Sequence, residues 1–330
     1  MEHMDTPTPS SNRSRAERAA ASRAERERRQ RLAEDLAQPH DGVVTRAMLH
    51  AAGLTRGQVR SEVERGAWHA IGRHTISVCG AEAGERARWW WALWESGERA
   101  VLDGATALLA AGLKGWTEPT IHVSVPNSAS VRPLVGVRHH RPRSLGRVVE
   151  AGLRRTAPEV AVIRAAHWAS SDRAAATLIA MTVQQRLLLT GTLMGAWADV
   201  KVSQRRTLLC GVIADVCDGA HSLSELDFAR MCRERGIPEP TRQAVRAGAN
   251  GRVYLDVLWE DLGVHVEIQG AQHAQGLAGI DDALRSNQLQ LRKAVKTSLQ
   301  VPVLGLRLRP DDFMAQVAEA LAAASRESAA

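Results

Sequence analysis

Between residues 41 and 78 the apolar and polar positions are punctuated as a helix, a tight turn, a second helix and two alternating runs. Thr45 opens a short stretch carrying Met48 and Leu49, Gly53 closes it, Thr55 opens a second with Val59 and Val63, and Gly66 closes that. A hydroxyl residue before a helix and a glycine after it satisfy the terminal N–H and C=O groups that the helix leaves unpaired. Trp68 to Val78 then alternates as two short strands hinged near Gly72 and Arg73. Ahead of this segment, residues 1–40 read as a charged arm, Pro, Ser and Thr rich to residue 12 and then alternating Arg, Ala and Glu from Arg13 to Ala37, as in a solvated helix or a disordered segment. Behind it, residues 81–218 form a middle region. It is helical from Ala83 to Trp116, carries strands at Thr120 to Pro126 and Val135 to Arg143, and is mostly helical again from Val160 to Gly219.

The last 112 residues, 219–330, carry the clearest alternation. Ser222 to Arg235 is amphipathic, with Leu223, Leu226, Phe228 and Met231 apolar, and Arg252 to Trp259 and Val264 to Gln269 form a hairpin around Glu260-Asp261-Leu262-Gly263. Pairing Trp259 with Val264 sets Val257 against Val266 and Leu255 against Ile268, one apolar face without exception. The other face then pairs Tyr254 with Gln269, Asp256 with Glu267 and Leu258 with His265. Two carboxylates placed directly opposite repel, so a divalent cation, an arginine or a shared proton must compensate. Hard all-oxygen ligands with room for water suit Mg²⁺ or Mn²⁺ better than zinc. An exposed pair balanced by Arg252 or Arg285 is the competing reading.

Composition narrows the picture. With 330 residues, 45% hydrophobic and 24% charged, the chain can build packed cores in roughly two domains of about 100–200 residues each. No apolar run approaches the roughly 18–20 residues of a membrane span, and the charged first 40 residues lack a signal peptide's apolar stretch, so a cytoplasmic protein with no membrane partner is expected. Cys79, Cys210, Cys217 and Cys232 are scattered, which points to reduced thiols rather than a disulfide framework or zinc knuckle. The net charge of +7 is compatible with a polyanionic partner, although only four of the 43 basic residues are lysines, a bias that base composition of the coding genome also produces. Trp89, Trp90, Trp91 and Trp94 share one helical stretch and read as a core or interdomain anchor.

The helix, turn, helix and hairpin of residues 41–80 make a small winged helix-turn-helix, whose second helix would lie in a DNA major groove. Arg56, Gln58, Arg60 and Arg65 are its groove and phosphate candidates, with Arg73 or His74 on the wing; a protein-contact module is the alternative. In the middle region Arg138, His139, His140, Arg141 and Arg143 can neutralise phosphates. His139 and His140 point to opposite faces of a strand and cannot chelate one metal together.

The order Glu225 on a helix, Tyr254-Leu255-Asp256-Val257, Val266-Glu267-Ile268-Gln269-Gly270-Ala271-Gln272-His273 and Asp282-Ala283-Leu284-Arg285-Ser286-Asn287 resembles the restriction-endonuclease-like PD-(D/E)XK superfamily. More narrowly it is similar to domains of unknown function related to very-short-patch-repair endonucleases, which end in a strand and helix like Val301 to Leu321. The whole chain resembles actinobacterial proteins that join such a domain to an N-terminal winged helix of the abortive-infection type IV antitoxin kind, a half carried here by Gly42 to Val78. The resemblance implies Mg²⁺-dependent phosphodiester cleavage. Asp256 and Glu267 would hold the metal, helped by the Ile268 carbonyl and Glu225; His273 would assist proton transfer or grip a phosphate; Arg285, oriented by Asp282, would neutralise the scissile phosphate. His273 as a plain loop hydrogen-bonder and Asp282 with Arg285 as a surface i, i+3 pair are the structural alternatives. Gln269 stands where the family carries the Lys of Glu-x-Lys, or an Asp in closer relatives, and an amide supplies neither charge.

The expected architecture is therefore mixed α/β: a winged helix-turn-helix, a helical middle with a short sheet, and a restriction-endonuclease-like α/β core. Two functions follow. One is a DNA endonuclease of defence or repair. The other is a non-enzymatic DNA-binding regulator or antitoxin, with a toxin protein as partner, in which the nuclease fold persists as scaffold. The oligomeric state is left open by the sequence.

Overall fold

The chain is mixed α/β, with several sheets and a majority of helix. A computed structural model describes residues 9–80, 82–217, 228–247, 253–270 and 297–328, together with the helical positions 280, 283, 284, 287 and 291. The described chain divides into two compact units, one of residues 1–102, 119–145 and 150–154, the other of residues 103–118, 146–149 and 155–330. The sequence-based boundaries at 80/81 and 218/219 differ from this division. The middle region is shared between the units, and the C-terminal sheet belongs with the helices that precede it.

In the first unit α1 (Pro9–Ala37) leads into β1 (Val43–Thr45), α2 (Arg46–Ala51), α3 (Arg56–Glu64), β2 (His69–Ala70) and β3 (Thr75–Ser77). Thr45 caps α2 by accepting from the Met48 N–H at 3.1 Å. At α3 Thr55 and Gln58 form a reciprocal capping box. Gly53, at φ +92°, makes the left-handed turn between the two helices. The strands pair antiparallel in the order β1-β3-β2. Val44, Leu49, Leu54, Val59, Trp68, Ile76 and Val78 are buried together, and Ala33 and Ala37 of α1 are buried with them.

That last contact corrects the expectation of a solvated arm ending at residue 40. Arg15 to Ala24 are exposed, but Leu32, Ala33, Leu36 and Ala37 place a stripe against the core. Gln30 accepts from Trp68 Nε1 at 2.6 Å, and the buried Glu62 carboxylate sits between Arg29 at 2.9 Å and Arg65 at 3.2 Å. The unit continues through α4 (Glu85–Ser96), β4 (Val101–Leu102), β5 (Ile121–Ser124) and β6 (Val137–His140), with β5 antiparallel to β4 and parallel to β6.

The second unit opens with α5 (Gly104–Ala110), the hairpin β7 (Val148–Val149) and β8 (Arg155–Thr156), and the helices α6 (Pro158–Trp168), α7 (Asp172–Gln184), α8 (Thr190–Ala198) and α9 (Arg206–Cys217). Asp103, fully buried, caps α5 and bonds Arg164 at 2.6 Å and Thr156 at 2.8 Å. After α10 (Phe228–Glu234), which is the described part of the helix expected over 222–235, come β9 (Arg242–Ala247), β10 (Val253–Trp259), β11 (Val264–Gln269), β12 (Ser298–Pro302), α11 (Val303–Leu308) and α12 (Pro310–Ser328). The sheet order is β12-β11-β10-β9, with β12 parallel to β11 and the other pairs antiparallel.

The β10–β11 register is the one that alternation requires, residue for residue from Tyr254 opposite Gln269 to Trp259 opposite Val264. Leu255, Val257, Trp259, Val264, Val266, Ile268, Leu299 and Val301 form the buried face, and α12 packs on it with Phe313, Met314, Val317 and Leu321 buried. Arg307 bonds the fully buried Asp215 of α9 at 3.0 Å, joining α9 to α11. β9 was not expected. Arg242-Gln243-Ala244-Val245-Arg246-Ala247 has a single strongly apolar residue, Val245, and that is 43% exposed, as suits an edge strand defended by charge.

Candidate functional site

The polar face of the C-terminal sheet brings Asp256 and Glu267 into direct register, with Ala244 beyond Asp256 and Gln300 beyond Glu267. Opposed side chains in such a pair have Cβ atoms about 4.5–5.5 Å apart. Both residues are half-buried. Glu267 has no hydrogen-bond or ion-pair partner among the described residues. Asp256 does have a neighbour: His265 Nε2 lies 3.4 Å from its Oδ1, and the other ring nitrogen lies 3.2 Å from Ser298 Oγ, so His265 bridges β10 and β12 across its own strand. Neither Arg252 nor Arg285, the cations considered from sequence, is among the described residues. His265 was paired with Leu258 by the alternation argument, but its diagonal reach to Asp256 went unread. Period-two patterning names directly opposed neighbours and leaves diagonals implicit.

Two carboxylates on one sheet face offer hard oxygen donors, which suit part of a Mg²⁺ or Mn²⁺ shell completed by water and phosphate oxygens. Among the described residues no group of three or more His, Cys, Asp and Glu is arranged to hold a metal. Glu225, His273, Asp282 and Arg285 lie outside the described residues. Gln269 sits opposite Tyr254 on β10 and Pro302 on β12, one pair along from Glu267. Asn287, part of the same sequence motif, is 1% exposed and acts on the backbone: its Nδ2 donates to the Gln300 carbonyl at 3.0 Å and to Gln316 Oε1 at 3.1 Å, while its Oδ1 accepts from the Gln300 N–H at 3.1 Å. An amide used in this way closes the free edge of β12 as a further strand would.

In the N-terminal unit Arg56 and Arg60 line an open groove of about 560 Å³ together with Arg46, His50, Val59, Val63 and Glu64. Arg46 was missed from sequence. It follows the cap Thr45, and its Nε donates to the Arg73 carbonyl at 3.1 Å, tying α2 to the hairpin turn. Two expected DNA ligands are otherwise engaged. Gln58 accepts from the Thr55 N–H at 2.8 Å within the capping box, a role that the Thr55-x-x-Gln58 spacing could have disclosed. Arg65 is paired with Glu62.

Arg73 and His74 are exposed at the hairpin tip. Their backbone is held by Glu95 of α4, whose carboxylate accepts from the N–H groups of Arg73 at 3.1 Å, His74 at 2.8 Å and Thr75 at 3.1 Å, and from the Thr75 hydroxyl at 2.9 Å. A Cβ at position 72 would run into that carboxylate, which is why a glycine stands there.

On β6 Arg138 is exposed, as are Arg141, which donates to the Ala129 carbonyl at 3.0 Å, and Arg143. The histidines between them leave this cluster in opposite directions, as strand geometry requires. His139 bonds Ser96 at 2.8 Å, and burial, followed by the charge of Arg141, holds its imidazole below the ordinary value. His140 bonds His122 of β5 at 2.8 Å with the rings nearly parallel.

All four cysteines are free thiols. Among the described residues no helix is long and apolar enough to cross a membrane. The sequence matches no protein-family model and no curated protein.

Proposed function

We propose that this chain is a cytoplasmic DNA-binding protein whose C-terminal sheet carries a Mg²⁺- or Mn²⁺-dependent endonuclease centre acting in defence or repair. The observation that carries the reading is the cross-strand register of Asp256 with Glu267 on the polar face of a sheet whose apolar face is buried. A winged helix-turn-helix formed by α2, α3 and the β2–β3 hairpin would deliver it to DNA. Arg46, Arg56 and Arg60 would meet phosphates along the groove, and Arg73 would act at the hairpin tip.

Asp256 and Glu267 would hold the cation, which when bound supplies charge to the scissile phosphate and lowers the pKa of an attacking water. The chain's own part is to hold two carboxylates at fixed register on a rigid hairpin, so that no reorganisation is needed when substrate arrives. His265, beside Asp256, is placed to orient that carboxylate. Gln269 would donate its NH₂ to a water or phosphate oxygen where the related enzymes place a charge.

Two features favour a second reading, a DNA-binding regulator or antitoxin with a toxin protein as partner. His265 already accompanies Asp256, which together with the neutral Gln269 suits a nuclease scaffold relieved of catalysis. Cleavage of supercoiled and linear duplex DNA in Mg²⁺ or Mn²⁺ separates the two. The enzyme nicks or cuts, and Asp256→Asn abolishes this while DNA affinity is retained. Purified protein that binds DNA yet leaves it intact in both metals would establish the regulator.

A further inference from the structure

The N-terminal unit holds a second concavity, of about 510 Å³, lined by His74 of the hairpin tip but by none of the arginines directed at DNA. Its wall is aromatic. Trp90 and Trp94 lie with ring centroids 5.4 Å apart and planes inclined by 31°, one indole packed on the other, and Leu93 lines the cavity beside them. The wall is fixed from behind, since Trp90 Nε1 donates to Asp41 Oδ2 at 3.0 Å and His40 packs edge-on against the same ring, centroids 4.8 Å apart. Ala47 of α2, His74 of the hairpin tip, Glu98 and Arg154 complete the border.

Arg154 supplies the polar handle. Three of its five guanidinium N–H groups are engaged, two by Glu150 at 2.7 and 3.0 Å and one by the Glu98 carbonyl at 2.9 Å. The Glu150 side chain is 66% exposed, so its pairing is cheaply exchanged for a better-placed anion. A rigid indole wall with a guanidinium at its edge is the usual composition of a small-molecule site: mostly apolar, concave, with few convergent polar groups.

We propose that this cavity binds a small planar aromatic anion, its ring packed against the wall that Trp94 and Trp90 form and its carboxylate on Arg154. Such an occupant would touch α2 and the hairpin tip together, and its binding does not rest on the DNA reading above.

Naphthoate is the probe, titrated calorimetrically into the full chain beside naphthol and naphthylmethylammonium. The expected result is saturable one-site binding of naphthoate that Trp94→Ala weakens about tenfold or more. Arg154→Met should weaken naphthoate by a similar factor and leave naphthol unchanged, a pattern that misfolding would not produce. No saturable binding at low millimolar naphthoate, equal affinity in Trp94→Ala that melts like wild type, or tighter binding of the cationic analogue would each overturn the assignment.

Discussion

Glu267→Gln isolates the electrostatic cost of the carboxylate pair, because it removes one charge and keeps the side chain's shape. Asp256 and Glu267 are cross-strand neighbours, and two unit charges about 5 Å apart repel by about 0.8–1.7 kcal/mol at effective dielectric constants of about 40–80. His265, 3.4 Å from Asp256, offsets part of this whenever it is protonated. The metal-free variant should therefore be more stable than wild type by about 1 kcal/mol, seen as a higher urea midpoint in the presence of a chelator. In Mn²⁺ the order should reverse. A cation at about a hundred times its dissociation constant adds about 2.7 kcal/mol to the form that binds it, and the variant has lost half of the donor set. A lower midpoint for Glu267→Gln in chelator would refute the reasoning, since it would mean that Glu267 is stabilised by a cation or donor of the protein itself. Midpoints indifferent to Mn²⁺ in both proteins would remove the metal from the pair.

Further outcomes can be checked directly. Arg56→Ala with Arg60→Ala should weaken duplex DNA binding and flatten its dependence on log salt by about 0.9 per lost phosphate contact, whereas Arg65→Ala, whose guanidinium serves Glu62, should lower the melting temperature with little change in slope; the opposite pattern would move the DNA contact out of the groove. Asn287→Ala should cost about 2–3 kcal/mol in chemical denaturation, at about 1 kcal/mol for each of the three hydrogen bonds lost, and a loss below about 1 kcal/mol would mean that β12 does not depend on it. His139 and His167 are both held below the ordinary imidazole value of 6.5 by burial, with Arg141 and Arg205 adding repulsion. The unfolded chain therefore takes up protons first, and the stability present above pH 6.5 should be lost as pH falls below it. His139→Gln and His167→Gln should each flatten that dependence in melts taken across the acid range.

The hairpin register was legible because one face from Leu255 to Ile268 is apolar without exception, and a one-residue slip would bury Asp256 and Glu267. The caps of α2 and α3 and the turn between them were legible for a similar reason: Thr45, Gly53 and Thr55 act locally, each on groups within a few residues. β9 was not, because an edge strand asks little of its sequence. The packed end of α1 did carry a signal, since Leu32 and Leu36 with Ala33 and Ala37 repeat at a spacing of four, but the surrounding arginines and glutamates masked it. The Glu62 cluster, the Asn287 clasp and the grip of Glu95 on the hairpin tip join residues 33, 13 and 20 positions apart. Neither composition nor local period encodes such partners, which only the fold brings together.

The grip of Glu95 also has a bearing on recognition. Backbone amides at a tight turn are natural anion receptors, yet here those of Arg73, His74 and Thr75 are already occupied by a carboxylate of the chain itself. Whatever meets this tip meets side chains rather than main chain. Ordering three backbone residues costs about 1–2 kcal/mol each, and that entropy is surrendered once, during folding, instead of at every encounter. A tip held in this way docks as a rigid body, so the strength of any complex it forms is set by what Arg73 and His74 touch and not by how much the loop must first be quieted.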